Sequence, residues 1–524
     1  MSPARSSLLW PSLLLALLTF GVFSPILRND FTGAWDDDKY IANNADYNPP
    51  SLKKLGHYWV PPPKEEFFVP VLYTTWGLIA MGARSVSSTG VVTFNAMPFH
   101  ALSIAAHVGA VVVAFLILAR LTRSRAAAFL GAAIFALHPV QVEAVAWAST
   151  AYTSLCAMFC LVAIWQFLAA TDADETMRTR KFAAHYAIAS VAFLIAMLTK
   201  PAALSAPLMI AAIEIGMRQR PMRKLALPLG VWVLIAVLIV SITRNAVPAA
   251  TVGHSEPWQY VVVAFDALTF YLYRVVSPFP LCIDYGRSPN WLLAHSALWL
   301  LSLIPITIFV AARMLRRRLP ALNSAMGVFL AAALPTLGLA PFTFQIFSTV
   351  ADRYAYLAMF AFAMLVAFVF RRVPTAVTVS ASVCVATVLG ILTARQIPRW
   401  QNEWTLFNAT LITNPQSHIV AANLPFMLTP VEQAKCKLSA GELEGMGDRL
   451  MLQKRSKLAS DIYEMSAARQ PTSKTYVKLA RARLQTQQAP AALDAAQMAL
   501  KISPVDPSAQ SMLREAEDAA AAPH

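Results

Sequence analysis

A chain of 524 residues with 57% hydrophobic and only 14% charged side chains carries far less charge than the roughly 25% of a soluble globular domain, so the bilayer is its expected solvent. The net charge of +15 is spread over short arginine clusters between apolar runs, with no long basic tail. That pattern fits loop charge on a cytoplasmic face and excludes a nucleic-acid partner.

From the N-terminus, Arg5 precedes an apolar run from Leu8 to Leu27 that ends in Phe23-Ser24-Pro25-Ile26-Leu27-Arg28. No small-residue cleavage site follows it, so it reads as an uncleaved first span. Runs long enough to cross a bilayer, roughly 20 apolar residues each, centre near positions 17, 105, 135, 160, 190, 208, 234, 303, 333, 362 and 384. Two further stretches, 69–83 and 258–279, are apolar but aromatic-rich and interrupted by prolines. The basic clusters decide the threading. They are Arg120/Arg123/Arg125, Arg178/Arg180/Lys181, Arg218/Arg220/Arg223/Lys224, Arg313/Arg316/Arg317/Arg318 and Arg371/Arg372. With Arg5 inside and about eleven spans, all of them fall on the cytoplasmic side. Threading both doubtful stretches as spans would put three clusters outside, so both are read as re-entrant or interfacial helices on the outer surface. The outer face then receives Arg28–Ser88, the 138–150 turn, the Lys200-Pro201 turn, the 245–294 segment, the 343–353 loop and everything after Arg395. Non-spanning backbone at membrane depth must be covered or line a cavity, so a site is expected there.

Near position 400 the chain turns polar and alanine-rich. Aligned on a 34-residue helical-hairpin period, Tyr476, Leu479, Ala480, Ala492, Ala496, Ala499 and Pro504 occupy the large, small and proline positions of a tetratricopeptide repeat. One period upstream stand Leu443, Met446, Gly447, Ala459, Tyr463 and Pro471. The expected organisation is all-α: a polytopic transmembrane domain over 1–398, with its acidic motif in the outer loop 28–90, and a short tetratricopeptide-like helical domain over 399–524. Two repeats are few for a free-standing solenoid. The five cysteines, Cys156, Cys160, Cys282, Cys384 and Cys436, show neither metal-ligand spacing nor a disulfide framework.

Three features carry chemistry. Trp35-Asp36-Asp37-Asp38-Lys39-Tyr40 follows the first span. Adjacent carboxylates repel and raise at least one pKa, which suits a general base; the plainer reading is a solvated acidic loop or a helix cap. His138-Pro139-Val140-Gln141-Val142-Glu143 ends the third span. His138 and Glu143 are expected to face the same cavity and orient the acceptor or the base, or else to cap a helix end. Lys200, Arg274, Arg287 and Arg353 are outer-face cations suited to a lipid phosphate, with snorkelling or an Asp352–Arg353 pair as the plainer alternative. Together they suit attack of a hydroxyl on a sugar carbon with departure of a lipid phosphate, inverting that carbon. The aspartates are also compatible with a hard divalent metal, which the sequence does not require.

The order of these motifs carries a family resemblance. It runs from the acidic pair through Phe99-His100-Ala101-Leu102, Ala136-Leu137-His138-Pro139-Val140-Gln141-Val142-Glu143-Ala144-Val145-Ala146-Trp147, Lys200-Pro201 and Val350-Ala351-Asp352-Arg353-Tyr354-Ala355-Tyr356-Leu357 to the repeat tail. The chain resembles bacterial relatives of the transmembrane and tetratricopeptide-repeat (TMTC) proteins of the GT-C glycosyltransferase superfamily, whose eukaryotic members are similar to protein O-mannosyltransferases. The resemblance implies a dolichyl- or undecaprenyl-phosphate sugar as donor, a bilayer-facing site, and a tail that presents or selects the acceptor. It places the base on Asp36, with Asp37 the other candidate and Asp38 blurring the register. The segment Ala421-Ala422-Asn423-Leu424-Pro425 departs from a repeat helix by its proline.

The leading expectation is therefore an inverting membrane glycosyltransferase. It moves a sugar from a polyprenyl phosphate to a protein Ser/Thr, a pilin or a surface glycan on the periplasmic side of a bacterial inner membrane, with its N-terminus cytoplasmic. A membrane-anchored interaction scaffold without chemistry is the alternative, and a lipid or solute transporter the third class. The outer position of the acids counts against transport, where charges sit near the bilayer midplane.

Overall fold

The computed structural model describes residues 3–33, 35–61, 68–173, 177, 179–246 and 256–521. The Arg5 side chain, Arg178 and residues 247–255 of the 245–294 segment lie outside the described residues. The protein is built from helices, with one small antiparallel hairpin, Arg84–Val86 paired with Val92–Phe94.

Among the described residues eight helices are long and apolar enough to cross a membrane: Leu8–Arg28, Met97–Thr122, Ala148–Ala173, Arg180–Thr199, Met222–Thr243, Pro257–Val276, Ser296–Met314 and Thr375–Trp400. Arg125–Leu137 and Pro139–Ala146 form a pair bent by 49°. The bend falls where Pro139 removes a backbone donor and biases His138 away from helical geometry. The runs centred near 208, 333 and 362 appear as shorter apolar helices, Pro201–Gly216, Pro320–Thr336 and Met359–Phe370. Prolines start the first two, and the third follows a break after Ala355. The stretch read as interfacial near 258–279 contains a continuous 20-residue helix long enough to span, because its prolines, Pro257 and Pro278, stand at or beyond its ends. Pro70–Ala83 has only 14 residues, about 21 Å of helix.

The chain divides into two compact units. The first comprises Met1–Leu281 and Arg287–Gln401; the second comprises Asn402–His524 with the five-residue segment Cys282–Gly286. In the first unit His107 joins three elements: its Nε2 lies 2.9 Å from the Ala136 carbonyl and its Nδ1 2.7 Å from the Tyr356 hydroxyl. A Cβ at Gly131 would stand 2.4 Å from the Ala363 carbonyl, so the glycine permits close approach of the helix that carries Ala363. At one end of these helices Arg120 pairs with Asp172. Arg218 reaches Asp172 at 2.8 Å and Arg220 reaches the buried Glu214 at 2.9 Å. At the other end, the loop after the first helix packs on a core of Tyr47, Leu72, Tyr73, Trp76, Phe99 and Ala151.

In the second unit, antiparallel-order helices Ala440–Leu452, Ser456–Arg469, Ser473–Gln485 and Ala489–Ile502 bury Leu443, Met446, Ala459, Tyr463, Leu479, Ala480, Ala492, Ala496 and Ala499; Tyr476 is half-buried. Pro425 lies in the last turn of His418–Met427. Asp284 belongs to this unit because its carboxylate accepts from the Ser417 hydroxyl at 2.7 Å and its carbonyl from the Asn414 amide at 3.0 Å. A Cβ at Gly447 would lie 2.5 Å from the Tyr463 ring, and that ring is pinned by its hydroxyl donating to Asp448 at 2.7 Å. Gly447→Ala is therefore expected to destabilise this unit by about 1–3 kcal/mol through overpacking, read as a lowered urea midpoint of the full chain. A midpoint equal to or above the wild type contradicts this packing.

Candidate functional site

Beyond the first helix the chain turns sharply. Asp30 donates its backbone N–H to the Gln401 carbonyl at 3.0 Å, and the Asn29 amide donates to the Trp400 carbonyl at 2.9 Å. This fixes the entry to the acidic loop. Asp37 is fully buried and accepts four hydrogen bonds. Thr32 donates its N–H and hydroxyl, both at 2.9 Å, to Oδ2; Ser149 donates its N–H at 2.7 Å and its hydroxyl to Oδ1. Burial pushes the Asp37 carboxyl up from its ordinary pKa, and the Ser149 and Thr32 donors pull against that push. A carboxylate offers about four acceptor positions; here they are filled, and Asp37 acts as an anchor.

Asp36, its neighbour, is half-buried, and burial outweighs the nearby charges in setting its pKa. Desolvation raises its pKa to about 6, the Arg353 guanidinium pulls it down, the Asp37 charge pushes it up and Lys39 lowers it. Such a carboxyl is largely ionised at neutral pH yet basic enough to take a proton. Asp38 heads the turn Asp38–Ala42.

One short segment organises the rest. Both oxygens of Glu143 engage Arg353: one pairs with the guanidinium and the other accepts the Arg353 N–H at 3.1 Å. Trp147 stacks on Trp400 with ring centroids 5.9 Å apart, and meets Trp35 at 4.5 Å. Ser149 holds Asp37. The segment itself is closed by the Thr150 hydroxyl, which donates to the Glu143 and Trp147 carbonyls at 3.1 and 2.8 Å. Of the two readings of His138, the structure shows the helix-end cap. The His138 Nε2 lies 3.1 Å from the Val275 carbonyl and its Nδ1 accepts the Val140 N–H at 3.4 Å, which spends both ring nitrogens on backbone. His138 precedes Pro139 and caps the turn after it, whereas Glu143 lies beyond that turn and reaches a different neighbour.

The four cations separate into two kinds. Arg353 is buried and paired with Glu143. Its guanidinium donates to the Tyr354 hydroxyl at 3.2 Å and lies over the rings of Phe344 at 4.3 Å, Tyr354 at 4.7 Å and Trp147 at 5.4 Å. The Lys200 ammonium donates to the Thr153 hydroxyl at 3.1 Å and stands over Tyr152 at 4.6 Å and Tyr354 at 5.9 Å. Tyr354 is thus shared by both. Arg287 instead grips Asp266 with two nitrogens, and Arg274 lies over Phe270 and Tyr273 at 4.9 and 5.5 Å. Among the described residues no cluster of three His, Cys, Asp or Glu side chains is placed to hold a metal.

Sequence reasoning missed Thr32 and Ser149 as the anchors of Asp37, and Phe344, Tyr152 and Thr153 as the walls around the cations. A hydroxyl pair, Ser149-Thr150, directly after the aromatic end of the 138–150 turn was the available signal. Comparison of the chain with family models, curated proteins and solved structures finds no match in any of the three.

Proposed function

We propose that the protein is an inverting GT-C-type glycosyltransferase, related to the TMTC proteins, that moves a sugar from a polyprenyl phosphate to a hydroxyl acceptor on the non-cytoplasmic side of a bacterial inner membrane. The observation that carries this reading is that one short segment, 143–150, holds both Arg353, through Glu143, and Asp37, the neighbour of the half-buried Asp36, through Ser149. Asp36 takes the acceptor's proton as its oxygen attacks the sugar carbon. Arg353 and Lys200 meet the charge gathering on the departing phosphate, in a setting of aromatic rings that keeps the local dielectric low. Lys200 and Arg353 share the Tyr354 ring, so in this reading phosphate binding rests on these two. The five basic clusters face the cytoplasm in this reading, and the helical tail, read as tetratricopeptide-like, presents the acceptor.

Mass spectrometry of surface proteins and glycans from cells with and without the chain tests the reading: loss of a hexose from a defined hydroxyl supports it, and identical profiles contradict it. Lys200→Met removes a cation while keeping its length. It is expected to raise the KM for the donor by roughly 10- to 100-fold, the weight of one charge-assisted hydrogen bond, with the acceptor KM unmoved. Equal rises in both would count against a phosphate role.

A further inference from the structure

The donor's sugar needs a surface that fixes its ring against Asp36, and a row of three indoles, Trp35, Trp147 and Trp400, supplies one. Trp147 and Trp400 are 1% and 3% exposed, while Trp35 is half-buried. The Trp35 ring lies against Trp147, with centroids 4.5 Å apart and planes inclined at 31°. One of its faces is backed by an indole that is itself backed by Trp400, and the ring stands one residue from the base. Its backbone is held as firmly: the Trp35 carbonyl accepts the Asp38 N–H at 3.1 Å, and its N–H donates to the Thr32 carbonyl at 3.3 Å. Thr32 is also an anchor of Asp37. The Trp35 indole is thus held against Trp147, partly exposed, and one residue from the candidate general base.

We propose that the exposed part of the Trp35 indole is the stacking platform for the pyranose ring of the lipid-linked donor. The inference rests on the transferase reading and names the sub-site that holds the ring. The apolar face of a pyranose presents electron-poor C–H groups, which suit the electron-rich face of an indole. As the bond to phosphate stretches, the ring gains oxocarbenium character, and an aromatic face attracts that charge more strongly than it attracts the resting sugar. The geometry favours the donor over an acceptor glycan. Trp147 carries both the Arg353 guanidinium, at 5.4 Å, and the Trp35 ring, at 4.5 Å. The phosphate-binding cation and the platform therefore sit on one indole, as a phosphate and the ring directly bonded to it require.

The test compares two ligands that differ only in the ring: a short-chain polyprenyl-phosphate hexose (mannose, glucose or galactose, whichever is transferred) and the bare polyprenyl phosphate as inhibitor. Trp35→Leu keeps apolar volume against Trp147 but removes the aromatic face. The donor KM is expected to rise about tenfold and kcat to fall, while inhibition by bare polyprenyl phosphate and the acceptor KM stay within twofold. Trp35→Phe is expected to recover most of the loss. Equal weakening of donor and bare lipid, a rise confined to the acceptor KM, or an unchanged donor KM in both variants overturns the platform. Those results leave the transferase reading standing if the wild type is active and Asp36→Asn is not. A wild type that transfers none of the three hexoses overturns that reading, and the platform with it.

Discussion

Asp36→Asn is expected to lower kcat for sugar transfer on the order of 10³-fold, the usual weight of a positioned general base, with the protein still folded in the membrane. The amide is nearly isosteric with the carboxyl but cannot accept a proton. The side chain is half-buried and the amide fills nearly the same volume, so little packing is lost. The wild-type pH profile carries the same signature. Burial puts the Asp36 pKa at about 6, and only the deprotonated form serves as a base. kcat/KM should therefore climb with pH and level off above about 6, falling roughly tenfold per unit below it. Asp37→Asn should behave differently. Its carboxylate receives two N–H and two O–H donors, and an amide can satisfy the donors on only one of its two ends, leaving its NH₂ against donors on the other. That variant should lose both transfer and the protection of residues near 29–43 against limited proteolysis, which Asp36→Asn keeps. Transfer by Asp36→Asn within threefold of wild type would remove Asp36 from the mechanism.

Breaking the Glu143–Arg353 pair from either side should cost about 3–5 kcal/mol of stability, because each single change leaves an uncompensated buried charge. The two side chains are 2% and 5% exposed, and Glu143 also holds the Arg353 backbone N–H at 3.1 Å. Replacing both at once, Glu143→Leu with Arg353→Met, should recover most of the lost stability, since a well-packed apolar pair is often as stable as a buried ion pair. It should not recover activity, because the donor phosphate has lost its guanidinium. Denaturation midpoints of the four proteins in the same lipid, set beside their transfer rates, check both halves. Single variants as stable as wild type would mean that the pair is not buried as described. A double variant that regains transfer would mean that Arg353 is a structural group.

The sequence showed the hydrophobic runs and the residue types of the site, but not how they pair. Run length and composition found most of the membrane-length helices. The end points depended on where prolines fall: Pro139 bends one element, while Pro257 and Pro278 leave the helix between them intact. Asp36 and Asp37 are adjacent and chemically alike, and what separates them is Ser149, 112 positions away. Arg353 stood out as a cation beside Asp352, yet its carboxylate partner, Glu143, lies 210 positions upstream. Periodicity reports burial along one element and is silent about contacts between elements. His138 was more legible: its place before Pro139 already suggested the helix-end cap that it forms.

The account is tested most directly by following the anomeric configuration and stoichiometry of transfer. The purified full chain would be placed in liposomes with a short-chain polyprenyl-phosphate hexose and a hydroxyl acceptor. One polyprenyl phosphate released per glycoside formed, with the anomeric centre inverted in the wild type and no product from Asp36→Asn, is the predicted result. Retention of configuration, or product formed equally by the two proteins, would contradict a single displacement driven by that carboxylate.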